Sequence, residues 1–156
     1  TRAMESMNDI VWSVSSSNDQ IEDLVDRMRA FAQPLCEAAN VQLDFTIGDG
    51  ILARKPGMEE RKNIYLIFKE ALNNAVKHAQ CSRIEVSLTL SEAKFRLVVS
   101  DNGTSAATHY LGNVSLGGNG LGNMRRRALE VGGTMEIQRG TNGGTQVVFC
   151  VSANMG

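Results

Sequence analysis

The feature that most constrains the fold is the amphipathic segment Phe68–Ala79, which has the periodicity of an α-helix. Glu70, Asn74, Lys77 and His78 fall within a stripe roughly 100° wide on such a helix. Much of the remaining circumference is apolar: Ile67, Phe68, Ala71, Ala75 and Ala79. One side can therefore be buried while the other offers a carboxylate, an amide, an amine and an imidazole. Such a stripe is typical of a solvated helix face, and it also suits a hydrated Mg²⁺ that carries phosphates.

The other periodic segments predict an α+β fold. A helical apolar stripe runs from near residue 18 to about residue 39, and Pro34 inside it predicts a kink near residues 30–34 or a break there. Alternating apolar residues predict strands at 41–47, 84–90, 95–99, 135–137 and 146–151. A third helix follows Gly118–Gly120 and ends at Gly132–Gly133. Because short turns make consecutive strands antiparallel, we expect a mixed, mostly antiparallel sheet of about five strands with about three helices on one face, a two-layer α/β sandwich.

Composition and charge exclude several classes of function. The 156 residues suffice for one domain, and the formal net charge of −1 provides no field for a polyanion, so we expect no nucleic-acid partner. Cys36, Cys81 and Cys150 form no CxxC pair, which argues against a zinc site or a disulfide framework. No apolar run approaches the ~20 residues of a membrane span, and the polar start is unlike a signal peptide. These features predict a cytoplasmic domain without direct membrane contact.

Two later segments carry groups that suit a nucleotide. Asp101 ends a predicted strand and is followed by Gly103, where the backbone can approach a ligand closely. Its carboxylate could accept a hydrogen bond from an exocyclic amine such as that of adenine, or it could bond its own backbone in a turn. Gly118 and Gly120 precede a helix, whose first amides and dipole favour phosphate, although many glycine-rich loops bind nothing. A dinucleotide-binding fold is set aside, because its glycines would directly follow a strand in a parallel βαβ unit.

Together these segments resemble the ATP-binding domain of sensor histidine kinases, in the GHKL ATPase superfamily with its Bergerat-type fold. The resemblance covers roughly residues 20–152. The matching motifs are Glu70-x-x-x-Asn74-Ala75-x-Lys77-His78-Ala79, Asp101-Asn102-Gly103 and Gly118-x-Gly120-Leu121-x-Asn123-Met124-x-x-Arg127-Ala128. With glutamate first and histidine after lysine, the helix motif is similar to that of the HisKA_3-type subfamily. The response regulators of that subfamily carry a NarL/LuxR-type helix-turn-helix domain.

The resemblance also implies the domain organisation. Asp9-Ile10-Val11-Trp12 is similar to the segment that links the phosphoacceptor helices to the catalytic domain. Residues 1–17 are therefore expected to be the end of a dimerisation and phosphotransfer helix with its linker, and residues 18–156 the catalytic domain. Residues 104–119 match the mobile ATP lid. Whether the parent protein is anchored in a membrane stays open.

Roles for single residues follow from the resemblance alone. On the helix, Asn74 matches the Mg²⁺-ligating asparagine, Glu70 lies near the metal and its waters, Lys77 reaches the phosphates and His78 lies beside the nucleotide. Glu70 and Lys77 are the expected catalytic residues. The remaining ATP-binding positions comprise the adenine-reading carboxylate, the glycine beside the base, the second glycine box at the phosphates and a threonine near adenine: Asp101, Gly103, Gly118, Gly120, Leu121 and Thr145.

This sequence departs from the family pattern at two points. Ser105 stands where the first glycine box usually has its second glycine, which could stiffen the lid hinge or weaken nucleotide binding. The phosphoacceptor histidine is absent, since His78 lies in the helix motif and His109 in the lid. The chain therefore resembles a catalytic domain alone, whose cofactors are ATP and Mg²⁺. Its expected partners are a histidine-bearing dimerisation and phosphotransfer domain of the same parent protein and a response regulator.

Three functions are compatible with these motifs. The first is protein-histidine kinase activity, in which positioning and charge neutralisation carry phosphoryl transfer. The second is an ATP-hydrolysing clamp in which Glu70 activates water, although the chain lacks the further domains of such a clamp. The third is a non-catalytic nucleotide-binding regulatory module, for which Ser105 is the only indication.

Overall fold

The structure is a computed structural model that describes residues 21–51, 56–78, 80–103, 120–140 and 144–152. Three helices lie in these ranges: α1 (Ile21–Ala38), α2 (Met58–His78) and α3 (Gly120–Glu130). The five strands there are β1 (Gln42–Ile47), β2 (Arg83–Ser91), β3 (Lys94–Asp101), β4 (Thr134–Arg139) and β5 (Thr145–Ser152). The predictions for residues 1–17 and for the lid at 104–119, including Ser105 and His109, lie outside the described residues.

The five strands form one mixed sheet in the order β1-β2-β3-β5-β4. β1 and β2 are parallel and are connected through α2, whereas the other three pairs are antiparallel. Glu92 and Ala93 form the two-residue turn between β2 and β3, both with positive φ (53° and 60°). This is the geometry of a type I′ hairpin turn, which matches the twist of the strands it joins. The predicted α+β sandwich with a mostly antiparallel sheet is confirmed.

All three helices pack on one face of the sheet, and α2 lies between α1 and α3. The core fills the space between the layers, because alternate residues of each strand point toward the helices. The largest fully buried side chains include Phe68, Phe95, Phe149, Leu24 and Leu72. The opposite face of the sheet is largely polar, and there Arg83 of β2 forms an ion pair with Asp44 of β1 at 2.5 Å. In the helical layer, α2 is the central helix.

The ends of α1 and α3 show why these helices stop where they do. Asn40 (φ 62°) and Gly132 (φ 73°) adopt the left-handed conformation just beyond each helix. The amide of the next residue then donates back to the last turn, from Val41 to the Cys36 carbonyl and from Gly133 to the Ala128 carbonyl, both at 2.8 Å. These are Schellman caps, which satisfy carbonyls that the helix leaves open.

Pro34 does not interrupt α1, so the predicted break is wrong. The proline ring is exposed, while buried residues on both sides of it, Met28 and Ala32 before and Cys36 after, anchor the helix to the core. Burial on both sides outweighs the one backbone hydrogen bond that proline removes. None of the described helices is both long and apolar enough to cross a lipid bilayer.

Candidate functional site

The polar stripe of α2 is less solvated than an ordinary surface face. Asn74 is only 8% exposed, Glu70 is half-buried and Lys77 is exposed. The helix buries its other side in the core through Phe68, Leu72 and their neighbours. His78 is the last residue of α2, and its side chain lies outside the described residues. The stripe therefore places an amide in a partly covered position with a carboxylate one turn before it.

These residues fit the requirements of Mg²⁺. The ion usually takes only one or two oxygens from protein and completes its octahedron with water and phosphate. Among the described residues no group of three or more His, Cys, Asp and Glu side chains is arranged to hold a metal. A metal at this helix would therefore depend on the Asn74 amide oxygen, with the Glu70 carboxylate close to its waters, and on oxygens supplied by a ligand.

Asp101 lies at the end of the central strand β3 and is 8% exposed. Its Oδ1 accepts a hydrogen bond from the Gly103 amide at 2.9 Å, so the turn geometry considered from the sequence is present. Burial raises the pKa of Asp101, and hydrogen bonds from the backbone amides of Gly103 and Thr145 partly offset the rise. A carboxylate has about four acceptor positions, so these two amides leave capacity for a ligand donor.

The carboxyl-terminal end of β3 is tightly packed against the start of β5. A Cβ at Gly144 would overlap the backbone carbonyl of Asp101 and would lie 2.9 Å from the Asn102 Cα. Glycine is therefore required there so that the backbone before β5 can lie close to the end of β3. Thr145 follows, is 3% exposed and donates its amide to the Asp101 carboxylate. The resemblance to the family predicts Thr145 as a site residue, whereas the steric role of Gly144 is visible only in the fold.

Asp101 also lies beside the carboxyl-terminal part of α2. The Cys81 thiol donates to the Ala75 carbonyl of α2 at 3.6 Å. Burial first, and then the negative charge of Asp101, raise the pKa of Cys81 to about 11. The thiol thus touches the helix residue next to Asn74 while it feels the charge of Asp101. The fold brings the helix motif and the Asp101 segment to one end of the sheet.

The helix that follows the glycine-rich segment, α3, packs against α2. Gly120 begins α3 and Leu121 lies in its first turn, while the side chain of Leu121 and all of Gly118 lie outside the described residues. Further along, the half-buried Arg127 guanidinium donates to the Asn63 amide oxygen at 3.4 Å. Burial and then the positive charge of Arg126 lower the pKa of Arg127, and the carboxylates of Glu130 and Glu70 partly oppose this.

Arg125, in contrast, is exposed. Asn63 is fully buried and was missed by sequence reasoning. A signal was available, because residues 63, 70 and 74 fall within about 40° of one another on a helix. The polar stripe therefore begins two turns earlier than predicted, where it anchors α3.

An α+β sandwich with these polar residues around one inner helix defines a known class of ATPase. The chain belongs to the histidine kinase-, DNA gyrase B- and HSP90-like ATPase family, whose model matches residues 59–155. It is similar to the sensor histidine kinase LiaS of Bacillus subtilis, with 30% identity over 107 residues that cover 69% of this chain and 28% of LiaS. It is 34% identical over 88 residues to the nitrate/nitrite sensor protein NarX of Escherichia coli, covering 53% of this chain and 13% of NarX. The chain thus spans about a quarter of LiaS and less of NarX.

Solved structures share the fold. The catalytic domain of the histidine kinase ThkA aligns with a TM-score of 0.69 and 16% identity, covering 86% of this chain and 94% of that domain. The histidine kinase AdeS of Acinetobacter baumannii aligns with a TM-score of 0.68 and 14% identity, covering 86% of this chain and 66% of AdeS. These structures show that the fold is shared, and the family itself is shown by the match at residues 59–155.

Proposed function

We propose that this domain binds Mg²⁺-ATP and transfers the γ-phosphate to a histidine on a separate dimerisation and phosphotransfer domain. The observation that carries the proposal is the position of Asp101, a buried carboxylate beside the carboxyl-terminal part of the helix that bears Glu70 and Asn74. One end of such a site can read a base and the other can hold a metal-bound triphosphate. Membership of the ATPase family and the likeness to LiaS and NarX support this reading.

At the base end, the Asp101 carboxylate accepts a hydrogen bond from the 6-amino group of adenine, with Gly103 and Thr145 beside the ring. The two backbone amides that Asp101 already binds hold the carboxylate in place before the nucleotide arrives. Preorganisation of this kind lowers the entropy lost on binding. Gly144 sets the distance between the two strand ends that carry these groups.

At the phosphate end, the Asn74 amide oxygen would hold Mg²⁺, and the Glu70 carboxylate would lie near its waters. When bound, the ion would supply positive charge that offsets the charge on the phosphates. Lys77 is exposed and can meet a phosphate oxygen as a point charge. The resemblance further assigns His78 to the nucleotide and Gly118, Gly120 and Leu121 to the phosphates. Glu70 and Lys77 are the proposed catalytic residues.

The relatives also support a proposal for the subfamily and for the type of response regulator. NarX and the oxygen sensor histidine kinase NreB of Staphylococcus carnosus, 41% identical over 87 residues that cover 55% of this chain and 24% of NreB, favour the HisKA_3-type subfamily. A NarL/LuxR-type response regulator is then the proposed final acceptor of the phosphate. The domain would work on the cytoplasmic side.

Calorimetric titration with Mg²⁺-ATP tests the binding site. Asp101→Asn removes the carboxylate at constant shape, and Asn74→Ala removes the metal ligand. Each lost interaction is worth about 1–3 kcal/mol, so each Kd should rise roughly 5- to 150-fold. Arg125→Ala, at an exposed position, is the matched control and should bind as the parent does. Parent-like affinity in both site variants would refute the proposed site.

Phosphotransfer is tested separately with labelled ATP and a purified phosphoacceptor domain. An acid-labile, alkali-stable phosphohistidine is the expected product, and Glu70→Gln and Lys77→Ala should slow its formation. Rapid ATP hydrolysis without transfer would indicate the ATPase clamp instead. Tight ATP binding with neither activity would indicate the non-catalytic module.

A further inference from the structure

Asn102, next to the base-reading carboxylate, makes an unusual number of hydrogen bonds for an exposed side chain. Its Oδ1 accepts from the backbone amides of Ser82 at 2.9 Å and Arg83 at 3.0 Å. Its Nδ2 donates to the Ser82 hydroxyl at 3.0 Å. Its own backbone amide donates to the Arg83 carbonyl at 3.2 Å. One asparagine thus ties the end of β3 to the segment that enters β2.

That segment also connects α2, at the proposed phosphate end, to the start of β2, where Ile84 pairs with Asp101 at the proposed base end. The chain leaves α2 at His78 and enters β2 at Arg83 after four residues. Gln80 has a φ of 53°, a left-handed backbone conformation. Cys81 then bonds back to α2. Because Asn102 holds the next residues, it sets how far Asp101 lies from the last turn of α2.

We infer that Asn102 is a positioning residue that fixes the Asp101 carboxylate relative to α2, and so determines discrimination of a 6-amino from a 6-oxo purine nucleotide. This inference rests on the proposed function, in which Asp101 reads the base. Asp101 is held on its other side by Gly144 and Thr145. The side-chain hydrogen bonds of Asn102 hold the end of β3 on the side nearer α2.

Solvent exposure separates this role from a purely structural one. Ser82, Arg83 and Asn102 are all exposed, so water can satisfy the amides that lose Asn102. Substitution should then change the position of Asp101 more than the stability of the fold. Asn102→Asp keeps the acceptor for both amides, and the Ser82 hydroxyl can reverse its role and donate. The extra charge acts equally on two nucleotides of equal charge and cancels in the ratio of their affinities.

The test measures the Kd of Mg²⁺-ATP and of Mg²⁺-inosine triphosphate, which has an oxygen in place of the 6-amino group. Asn102→Ala should lower the preference for ATP about tenfold, as expected for loss of about one well-aligned hydrogen bond. Asn102→Asp should retain most of the preference. Gln138→Ala is the matched control, because Gln138 is an exposed amide that bonds only Glu136 among the contacts described. Urea midpoints of all variants give fold stability independently.

The proposed base site and the positioning role of Asn102 can be refuted separately. If Asp101→Asn leaves the preference for ATP intact, the proposed base site is wrong. If Asp101→Asn abolishes the preference but Asn102→Ala keeps it, or weakens both nucleotides equally, the inference about Asn102 is overturned and the base site stands. Equal loss in Asn102→Asp and Asn102→Ala would also overturn it. Should Asn102→Ala not fold, Asn102→Ser provides the same comparison with a shorter acceptor.

Discussion

Gly144→Ala tests the contact on which the base end of the site is built. The added Cβ would meet the Asp101 carbonyl and the Asn102 Cα, at 2.9 Å from the latter, and neither is the movable end of a side chain. Overpacking of this kind costs about 1–3 kcal/mol. The strand ends must separate, which weakens the hydrogen bond from the Gly140 amide to the Gly144 carbonyl (2.7 Å) and that from Thr145 to Asp101. At about 1 kcal/mol for each bond, the total is about 3–5 kcal/mol.

Urea denaturation followed by far-ultraviolet circular dichroism measures this loss. With a slope of about 2 kcal/mol per molar urea, the midpoint should fall by about 2 M. Gly122→Ala adds the same methyl group in α3, where a Cβ meets nothing within 4 Å. That control should be neutral or more stable by up to about 1 kcal/mol, since alanine favours helix. The affinity for Mg²⁺-ATP should fall in Gly144→Ala and not in the control.

A Gly144→Ala protein within about 0.5 kcal/mol of the parent, a change ordinary for surface substitutions, with an unchanged slope, would mean that the two strand ends do not touch. Unchanged ATP affinity despite a large loss of stability would mean that the contact supports the fold but not the base site.

Three further outcomes are expected. Arg127→Ala should lower the free energy of unfolding in urea by about 1–2 kcal/mol, because the buried Asn63 amide oxygen loses a donor, whereas exposed Arg125→Ala should change it by less than about 0.5 kcal/mol. The Mg²⁺-ATP affinity should fall on acidification at a pH above the ordinary Asp value of 3.8, because burial raises the pKa of Asp101 and its protonated form accepts poorly; calorimetry across pH in parent and Asp101→Asn, which should lack this limb, measures it. Iodoacetamide should alkylate Cys81 slowly at pH 8, where a pKa of about 11 leaves little thiolate, and faster in Asp101→Asn, which removes a charge that raises that pKa; peptide mass spectrometry gives both rates.

Periodicity predicted much of this fold because it reports which face of each element is buried. The stripe on α2 and the alternation in β2 and β3 were assigned correctly for that reason. Periodicity carries no information on which strands are neighbours, so the place of β5 between β3 and β4 could not be foreseen. The predicted break at Pro34 was wrong because the helix rule for proline does not include tertiary burial, which outweighs it here.

The candidate site was also predictable only in part. Three short motifs predict its chemical groups, and two of the predicted residues, Asn74 on α2 and Asp101 at the end of β3, are buried. The supporting contacts could not, because Gly144 with Asp101 and Arg127 with Asn63 join residues that are far apart in the chain. Such contacts depend on strand order and helix packing, which only the folded chain displays.

The hairpin turn at Glu92 and Ala93 lies at the far end of β3 from Asp101, about 25 Å away at ~3.3 Å per residue. Both residues occupy a left-handed conformation that asparagine and glycine tolerate far better. The chain therefore gives up some stability at a position remote from the proposed nucleotide site. Substitution of Glu92 and Ala93 by asparagine and glycine should therefore stabilise the domain without changing any residue of the proposed site.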